Sequence, residues 1–419
     1  MIVAEQAMTI FSSLLDRYES VRSASMALAE PLSDEDCCVQ SMPDASPIKW
    51  HLAHTSWFFE TFILEKFEAN FKPFHPAFRM LFNSYYNGVG ARHPRARRGL
   101  ITRPSLAEVE DYRSQVDARM EALLLIAAAP TYIPSPELEQ LITLGLNHEE
   151  QHQELMLTDV LHLLSNNPLY PAYTERRMEP AASAHALQWV AVPEGIVEIG
   201  HAGGGFCFDN ELPRHRHYVE PFELASRLVS NAEYLAFVKA GAYDDPSLWL
   251  AEGWDWLQAN NISHPLYWHR SKDSWYEFTL NGLVELDGER AARHVSFFEA
   301  DAYARWSGAR LPTEAEWECA ASRQAALSGE AGQAGSVRLT QLLDTGWQWT
   351  CSSYAAYPGF QPAAGAVGEY NGKFMVNQYV LRGGSCATPP GHSRLSYRNF
   401  FPSHARWQFS AIRLARSAA

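Results

Sequence analysis

The sequence is poor in cysteine and in positive charge. Its 419 residues include only six cysteines, and no two of them form a CxxC pair, which excludes a dense disulfide framework and predicts reduced thiols. Lys and Arg number 34 against 48 Asp and Glu, giving a net charge of -14. Because such a surface repels nucleic acid and anionic membranes on average, we expect neither as a partner, and any anion site must be local.

Long hydrophobic runs are also missing. The apolar run over 122–129 stops at Pro130, which is too short to cross a membrane. No basic residue precedes Arg17, so the beginning lacks the charged start of a secretory signal, and we expect a cytoplasmic protein. The composition is 47% hydrophobic and 12% aromatic, which is typical of a packed globular protein, and the length fits two or three domains.

The first part of the sequence predicts a helix bundle. Apolar residues at helical spacing predict a first helix over about 4–29. Three further helices each begin at a capping signal: Ser46 with Pro47, the capping box of Ser105 and Glu108, and Ser135 with Pro136. The second helix runs through Leu64, and Pro130 ends the third. Four such helices are typical of a bundle.

A long loop and a change in composition organise the rest. The connection over about 70–104 is far longer than the ~2–8 residues usual in bundles, which favours a functional loop. The sequence over 173–186 is polar and rich in alanine, and we predict a linker there. Short segments punctuated by Gly and Pro follow, with helices predicted only near 297–309 and 312–322. The predicted domains are therefore 1–172 and 187–419.

Histidines on the second and fourth helices give the strongest chemical signal. His148 and His152 are one helical turn apart on an apolar face, so both point into the bundle. His54, between Trp50 and Trp57, supplies a third inward imidazole. Three imidazoles that leave open coordination positions are typical of a catalytic metal site. Ordinary core histidines are the alternative.

Several interpretations of the residues around these histidines stay open. His51 is a second candidate ligand, although we place it on the flank of its helix. Asp159 is either a partner of an imidazole or a surface carboxylate, and the second role is favoured.

The sequence from His148 to His152 also matches the HExxH pattern of zinc proteases, with Glu149 as the base, although Glu149 and Glu150 can equally form a solvated face. Zinc would favour hydrolysis, whereas ferrous iron would bind dioxygen.

The long loop carries aromatic and basic side chains. Tyr85 and Tyr86 are either packing aromatics or donors of a proton beside an oxygen-activating metal. Arg95 and Arg98 are either a solvated patch or a pair that binds a substrate carboxylate.

Motifs in both halves resemble one known family. WHLAH, HPRARRG and HEEQHQE, in that order, resemble the DinB-like bundle of the ergothioneine-biosynthesis sulfoxide synthases. The second half, with ARLPTEAEWECAA, GWQWT and LRGGSCA, resembles the formylglycine-generating-enzyme (sulfatase-modifying) fold, which is C-type-lectin-like. The resemblance implies an α+β multidomain protein, with an N-terminal DinB-like four-helix bundle and a C-terminal C-type-lectin-like domain.

The resemblance also implies an activity. Members of this family are non-haem Fe(2+) enzymes that use O2 to join the sulfur of cysteine or γ-glutamylcysteine to C2 of the imidazole of hercynine, giving a sulfoxide. The implied iron ligands are His54, His148 and His152. The implied substrate contacts are Gln151 for the imidazole of hercynine, Asn399 for its carboxylate, and Arg95 with Arg98 for the carboxylate of the thiol substrate.

Two departures from the family pattern bear on the substrates. Phe400 and Phe401 stand where the best-known members have Trp-Asp, so Phe400 keeps an aromatic contact and the acidic contact is lost. With Tyr397 and Trp407, it is a candidate wall for the trimethylammonium group. The tyrosine pair resembles another branch of the family, which implies that Tyr85 or Tyr86 donates a proton, without a choice between them.

Two other activities and several properties stay open. A selenoneine synthase would share the fold and the iron site but use a selenosugar donor, and an HExxH zinc hydrolase belongs to a different class. The choice between sulfur and selenium donors, the identity of the thiol, and the assembly as a monomer or homo-oligomer are left undecided by the sequence.

Overall fold

The chain folds into two compact units. The computed structural model describes residues 2–129, 135–175, 185–329 and 337–418. The first unit comprises Met1–Leu169 with Ala364–Tyr370, and the second comprises Tyr170–Ala363 with Asn371–Ala419. The predicted domain bounds and the linker over 173–186 stay predictions, since 176–184 lie outside the described residues.

The first unit is helical. Its main helices correspond to the four predicted from the sequence. Shorter helical segments lie between them. In chain order, they are α1 (Ile2–Ala29), α2 (Asp34–Cys38), α3 (Ile48–Phe59) with a π-helical continuation (Glu60–Leu64), α4 (Glu65–Phe67), α5 (Phe78–Leu81), a 3-10 helix (Arg95–Leu100), α6 (Leu106–Ala127) and α7 (Pro136–Ser165). Among the described residues, no helix is both long enough and apolar enough to span a membrane.

Helix α3 runs through the centre of this unit. All of its residues are buried, and it packs against α6 and α7, while α1 packs against the same two helices. Gly145 of α7 permits a close approach, because a Cβ atom there would lie 2.8 Å from the ring of Phe59 and 3.0 Å from that of Phe58. Side chains on the facing sides of α3 and α7 are therefore brought close together.

The predicted helix caps are confirmed at two starts and wrong at a third. Ser105 and Glu108 form the capping box, with the Ser105 amide donating to Glu108 at 2.7 Å. Ser135 accepts from the amide of Leu138 at 3.2 Å. Pro47, not Ser46, occupies the N-cap of α3, without a side-chain cap. The hydroxyl of Ser46 instead accepts a hydrogen bond from Arg98 at 2.8 Å.

The second unit is built from short strands, as predicted, with two helices in the predicted segments and two others, Asn231–Lys239 and Ala251–Asn260, that the sequence did not predict. Its strands are β1 (Trp189–Val192), β2 (Gly195–Ile199), β3 (His215–Val219), β4 (Phe222–Ala225), β5 (Trp268–Ser271), β6 (Ser274–Thr279), β7 (Gly282–Glu285), β8 (Trp347–Ser353), β9 (Tyr379–Arg382), β10 (Asn399–Phe401), β11 (Ser410–Ala411) and β12 (Ala415–Ser417). Its helices are α8 (Asn231–Lys239), α9 (Ala251–Asn260), α10 (Phe297–Trp306) and α11 (Glu314–Gly329). In the described part of the unit, the sheets have strand orders β1-β4-β12, β10-β9-β8-β11, β2-β3 and β5-β6-β7.

Candidate metal centre

Three histidines meet between α3 and α7. One nitrogen from each of His54, His148 and His152 lies within 4.8 Å of the others. The ring centroids of His148 and His152 are 4.6 Å apart, and that of His54 is 5.0 Å and 4.8 Å from them. Only 0%, 1% and 9% of the three residues are exposed, in the same order. The geometry thus brings together the three residues that the sequence proposes as metal ligands.

Hydrogen bonding leaves ring nitrogens of this cluster available. Nδ1 of His54 donates to the carbonyl of Phe82 at 2.6 Å, which leaves Nε2 with its lone pair. That Nε2, like both ring nitrogens of His148, is buried without a hydrogen-bond partner among the described residues. A buried polar atom without a partner carries a desolvation cost. A metal ion held by these nitrogens would remove it, so the residues fit such a site.

Burial keeps these imidazoles neutral. Burial lowers the pKa of His148 to about 3 and lowers those of His54 and His152 well below the usual value, with neighbouring histidines adding to the effect for the last two. Neutral imidazole is the form that binds metals. The cluster is therefore set up to receive a cation without first losing protons.

His51 and Asp159 lie elsewhere than expected. The ring of His51 does not point to a flank, because its Nδ1 lies 2.8 Å from Nδ1 of His152. Its Nε2 lies 2.9 Å from Oδ2 of Asp159. Asp159 is buried, so the favoured surface position is wrong, and the role as a partner of an imidazole describes its surroundings.

The carboxylate of Glu149 points away from the histidines' nitrogens to a buried pair of arginines. It is 0% exposed and accepts hydrogen bonds from Arg22 at 2.9 Å, Arg113 at 2.5 Å and Ser25 at 2.6 Å. Burial opposes its ionisation, but Arg113 and Arg22 outweigh burial and lower the pKa of Glu149 to about 2. Glu150 is also buried and pairs with Arg17 at 3.1 Å, so the solvated face predicted for the two glutamates is wrong.

The tyrosine pair lies beside the centre on the long loop. Tyr86 is fully buried, and its ring centroid lies 5.6 Å from that of Trp57. The ring of Tyr85 stacks on it at 4.7 Å. Burial raises the pKa of Tyr86, and the neighbouring Tyr85 acts in the opposite direction.

Two further residues, Glu369 and Tyr370, lie at this site although the sequence did not predict them there. The ring of Tyr370 lies 5.6 Å from that of His148 and 6.0 Å from that of Tyr85. Both carboxylate oxygens of Glu369 accept hydrogen bonds from the long loop, one from the amide of Asn87 at 3.0 Å and one from the amide of Gly88 at 2.6 Å. Both belong to the segment Ala364–Tyr370, which joins the helical unit from far along the chain. No local pattern in the sequence signals such a contribution.

The two arginines of the long loop have different surroundings. Arg98 is buried, its guanidinium carbon lies 3.3 Å from the centre of the Trp50 ring, and it donates to Ser46 at 2.8 Å and Ser84 at 3.1 Å. Arg95 is exposed and donates to the carbonyl of Asp44. The structure therefore places Arg98 in the interior of the helical unit and Arg95 on its surface.

The remaining predicted substrate residues are spread over the chain. Gln151 is half-buried on α7 between the two histidines. Asn399 and Phe400 are half-buried on β10 of the second unit, where the ring of Phe400 stacks on that of Tyr354 at 4.1 Å. Tyr397 is buried in the core of the same unit, 5.1 Å from the ring of Trp347. Their substrate contacts stay predictions.

Comparison with known proteins identifies both halves of the architecture. Residues 17–156 match the DinB superfamily, and residues 174–336 match the sulfatase-modifying factor enzyme 1-like domain. The predicted order of a DinB-like bundle and a formylglycine-generating-enzyme-like domain in an α+β protein is thereby confirmed.

Full-length relatives decide the family. A hercynine oxygenase of Mycolicibacterium thermoresistibile is 30% identical over 415 residues, which cover 89% of this chain and 88% of the relative. The chain belongs to the hercynine oxygenase family. Other members are 29% identical, over 91% of this chain and 93% of the Mycobacterium tuberculosis protein, and over 96% and 98% for that of Mycolicibacterium smegmatis. The family resemblance drawn from the motifs is confirmed.

Proposed function

We propose that this chain is a hercynine oxygenase of ergothioneine biosynthesis. It uses Fe(2+) and O2 to join the sulfur of cysteine or γ-glutamylcysteine to C2 of the imidazole of hercynine. The reaction balances with one O2: one oxygen atom enters the sulfoxide, and the other leaves as water with the thiol and C2 hydrogens. The observation that carries the proposal is the buried cluster of three histidines with unpartnered nitrogens, in a chain of the hercynine oxygenase family.

The proposed iron ligands are His54, His148 and His152. Their neutral nitrogens suit Fe(2+), and such an ion, when bound, supplies open coordination positions for a thiolate and O2. The described part of the chain leaves room for this chemistry because it brings three ligands together and not a closed set of four.

The proposed substrate contacts include charge, hydrogen bonds and an aromatic face. Arg98 is proposed to bind the carboxylate of the thiol substrate, because it is a buried cation in an acidic protein and its Nε has no hydrogen-bond partner among the described residues. Arg95 is proposed to assist it from the surface. Gln151 is proposed for the imidazole of hercynine, Asn399 for its carboxylate, and Phe400 with Tyr397 for its trimethylammonium group.

The tyrosine pair is proposed to supply the proton. The ring of Tyr86 packs against Trp57, which stacks on His54, and burial raises the pKa of Tyr86, so its hydroxyl keeps its proton until a basic group accepts it. We expect Tyr85→Phe, Tyr86→Phe or both to lower the yield of sulfoxide relative to simple thiol oxidation by ~10²–10⁴-fold, the range of general acid catalysis. Quantifying both products by mass spectrometry checks this. Unchanged product ratios and rates in both variants would remove the tyrosines from the mechanism.

The structure disfavours a zinc hydrolase. The HExxH mechanism needs Glu149 as a free base beside the metal. Glu149 is instead bound by Arg22, Arg113 and Ser25, and its low pKa makes it a poor proton acceptor.

The proposed function is tested by oxygen uptake and product analysis. The anaerobic protein is loaded with Fe(2+) and mixed with O2 and hercynine plus an equal mixture of cysteine and γ-glutamylcysteine, with a selenosugar in a parallel reaction. We expect O2 consumption only when hercynine and a thiol are both present, and a sulfoxide as the product. Its mass identifies the preferred donor. A product formed only with the selenosugar would assign the chain to selenoneine synthesis, and hydrolysis without O2 would overturn the proposal.

A further inference from the structure

We propose that Asp159 and His51 form a relay that orients His152 and fixes the tautomer in which it binds the metal. The inference rests on the proposed function, which gives His152 its metal. The relay comprises three side chains. Asp159 and His152 come from α7, and His51 comes from α3 and is hydrogen-bonded to both. Asp159 and His51 are positioning residues that act through His152.

The geometry of the relay is set by two short hydrogen bonds. Oδ2 of Asp159 lies 2.9 Å from Nε2 of His51, and Nδ1 of His51 lies 2.8 Å from Nδ1 of His152. The amide of Ser46 donates to the same Oδ2 at 2.8 Å, which fixes the carboxylate. All three side chains of the relay are buried, so water does not compete for these bonds.

The acceptor at one end of the relay dictates which ring nitrogens of His51 and His152 carry protons. A carboxylate only accepts, so Nε2 of His51 donates to Asp159. In the proposed relay, the other ring nitrogen of His51, Nδ1, carries no proton and accepts the proton of Nδ1 in His152. The lone pair of His152 is therefore on Nε2, the nitrogen that remains for a metal. Without the relay, His152 is free to protonate Nε2 and lose its ligand atom.

The other two proposed ligands, His54 and His148, do not depend on side-chain partners in this way. Nδ1 of His54 donates to the backbone carbonyl of Phe82, which no side-chain substitution removes. His148 has no hydrogen-bond partner for either ring nitrogen among the described residues. His152 is therefore the ligand whose orientation depends on side chains, and it is where substitutions outside the cluster should change metal binding. Partners of this kind usually contribute 10–100-fold to metal affinity.

The test compares metal binding in four variants of the full chain. His51→Phe and Asp159→Leu remove the relay while keeping an apolar filling. His51→Gln keeps one donor and one acceptor and can restore it. His162→Phe is the matched control, because this histidine lies on α7 and accepts or donates a hydrogen bond with Ser41 at 2.7 Å, outside the cluster. Affinity for Co(2+) and Fe(2+) is measured anaerobically by competition with a chromophoric chelator, and the visible spectrum of bound Co(2+) reports ligand geometry.

We expect His51→Phe and Asp159→Leu to weaken metal binding by about 10–100-fold and to change the Co(2+) spectrum. His51→Gln should recover part of the affinity, and His162→Phe should bind as the parent protein does. Wild-type affinity and spectrum in folded His51→Phe and Asp159→Leu proteins would overturn the relay, whatever their thermal stability. If the parent protein itself binds no metal, the proposed function fails instead, so the two failures are distinguishable.

Discussion

The His148→Ala protein is expected to retain no stoichiometric Fe(2+) and to consume no O2 with hercynine and thiol. Two imidazoles would remain, and the neighbouring His51 is not expected to replace the lost one, because it is already hydrogen-bonded to Asp159 and His152. The loss should exceed the ~10–100-fold that follows from changing a residue outside the ligand set. Iron is measured after gel filtration under anaerobic conditions, and O2 consumption with an electrode.

A control on the same helix separates loss of the metal from loss of the fold. His162→Ala removes an imidazole of α7 whose partner is Ser41, and it should keep both iron and activity. Circular dichroism should give the same helix content for both variants. Stoichiometric iron in a folded His148→Ala protein would contradict the ligand assignment, because only two of the three proposed ligands remain in that variant.

The sequence was sufficient for the features that local spacing controls. The four main helices follow from apolar periodicity, and the capping serines 105 and 135 mark two of their starts. His148 and His152 are one turn apart, so any helix that buries one buries the other. His54 could be placed because Trp50 and Trp57 share its face of α3. Each of these inferences needs only residues within a few turns of one another.

The misplaced residues are those whose partners come from another helix. Helical spacing cannot tell which flank of α3 faces α7, so it separates His51 from the site although His51 contacts His152. The sequence predicts a surface position for Asp159, whereas its carboxylate is hydrogen-bonded to the amide of Ser46 and the ring of His51. Tyr370 joins through a segment far along the chain, which periodicity cannot reveal. Hydrogen-bond partners across the fold decide these positions.

Glu149 shows the same effect with the largest consequence for stability. Its carboxylate is the meeting point of the four main helices: Arg22 and Ser25 come from α1 and Arg113 from α6, while Arg22 and Arg113 also donate to Ser56 and Thr55 of α3. Removing a buried carboxylate leaves two guanidinium groups buried without it. Of the two arginines, Arg22 has a second carboxylate among the described residues, Asp117 at 2.6 Å.

We therefore expect Glu149→Leu to lower the free energy of unfolding of the metal-free protein by ~3–5 kcal/mol, the usual cost of breaking a buried ion pair. For a domain of this size, that corresponds to a fall of roughly 6–20 °C in the melting temperature. The measurement is thermal unfolding followed by helical circular dichroism, with urea unfolding as a second method.

The neighbouring glutamate provides the matched control. Glu150 pairs with Arg17, whose side chain is 38% exposed and stays hydrated when the carboxylate is removed, so we expect the pair to contribute only ~0–1 kcal/mol. Glu150→Gln should therefore melt within a few degrees of the parent protein, since each kcal/mol is worth about 2–4 °C. Equal stability of Glu149→Leu and Glu150→Gln would mean that the arginines find other partners. In that case the ion-pair network would not hold the four helices together, and the helix packing would have to rest on apolar contacts such as those of Gly145 with Phe58 and Phe59.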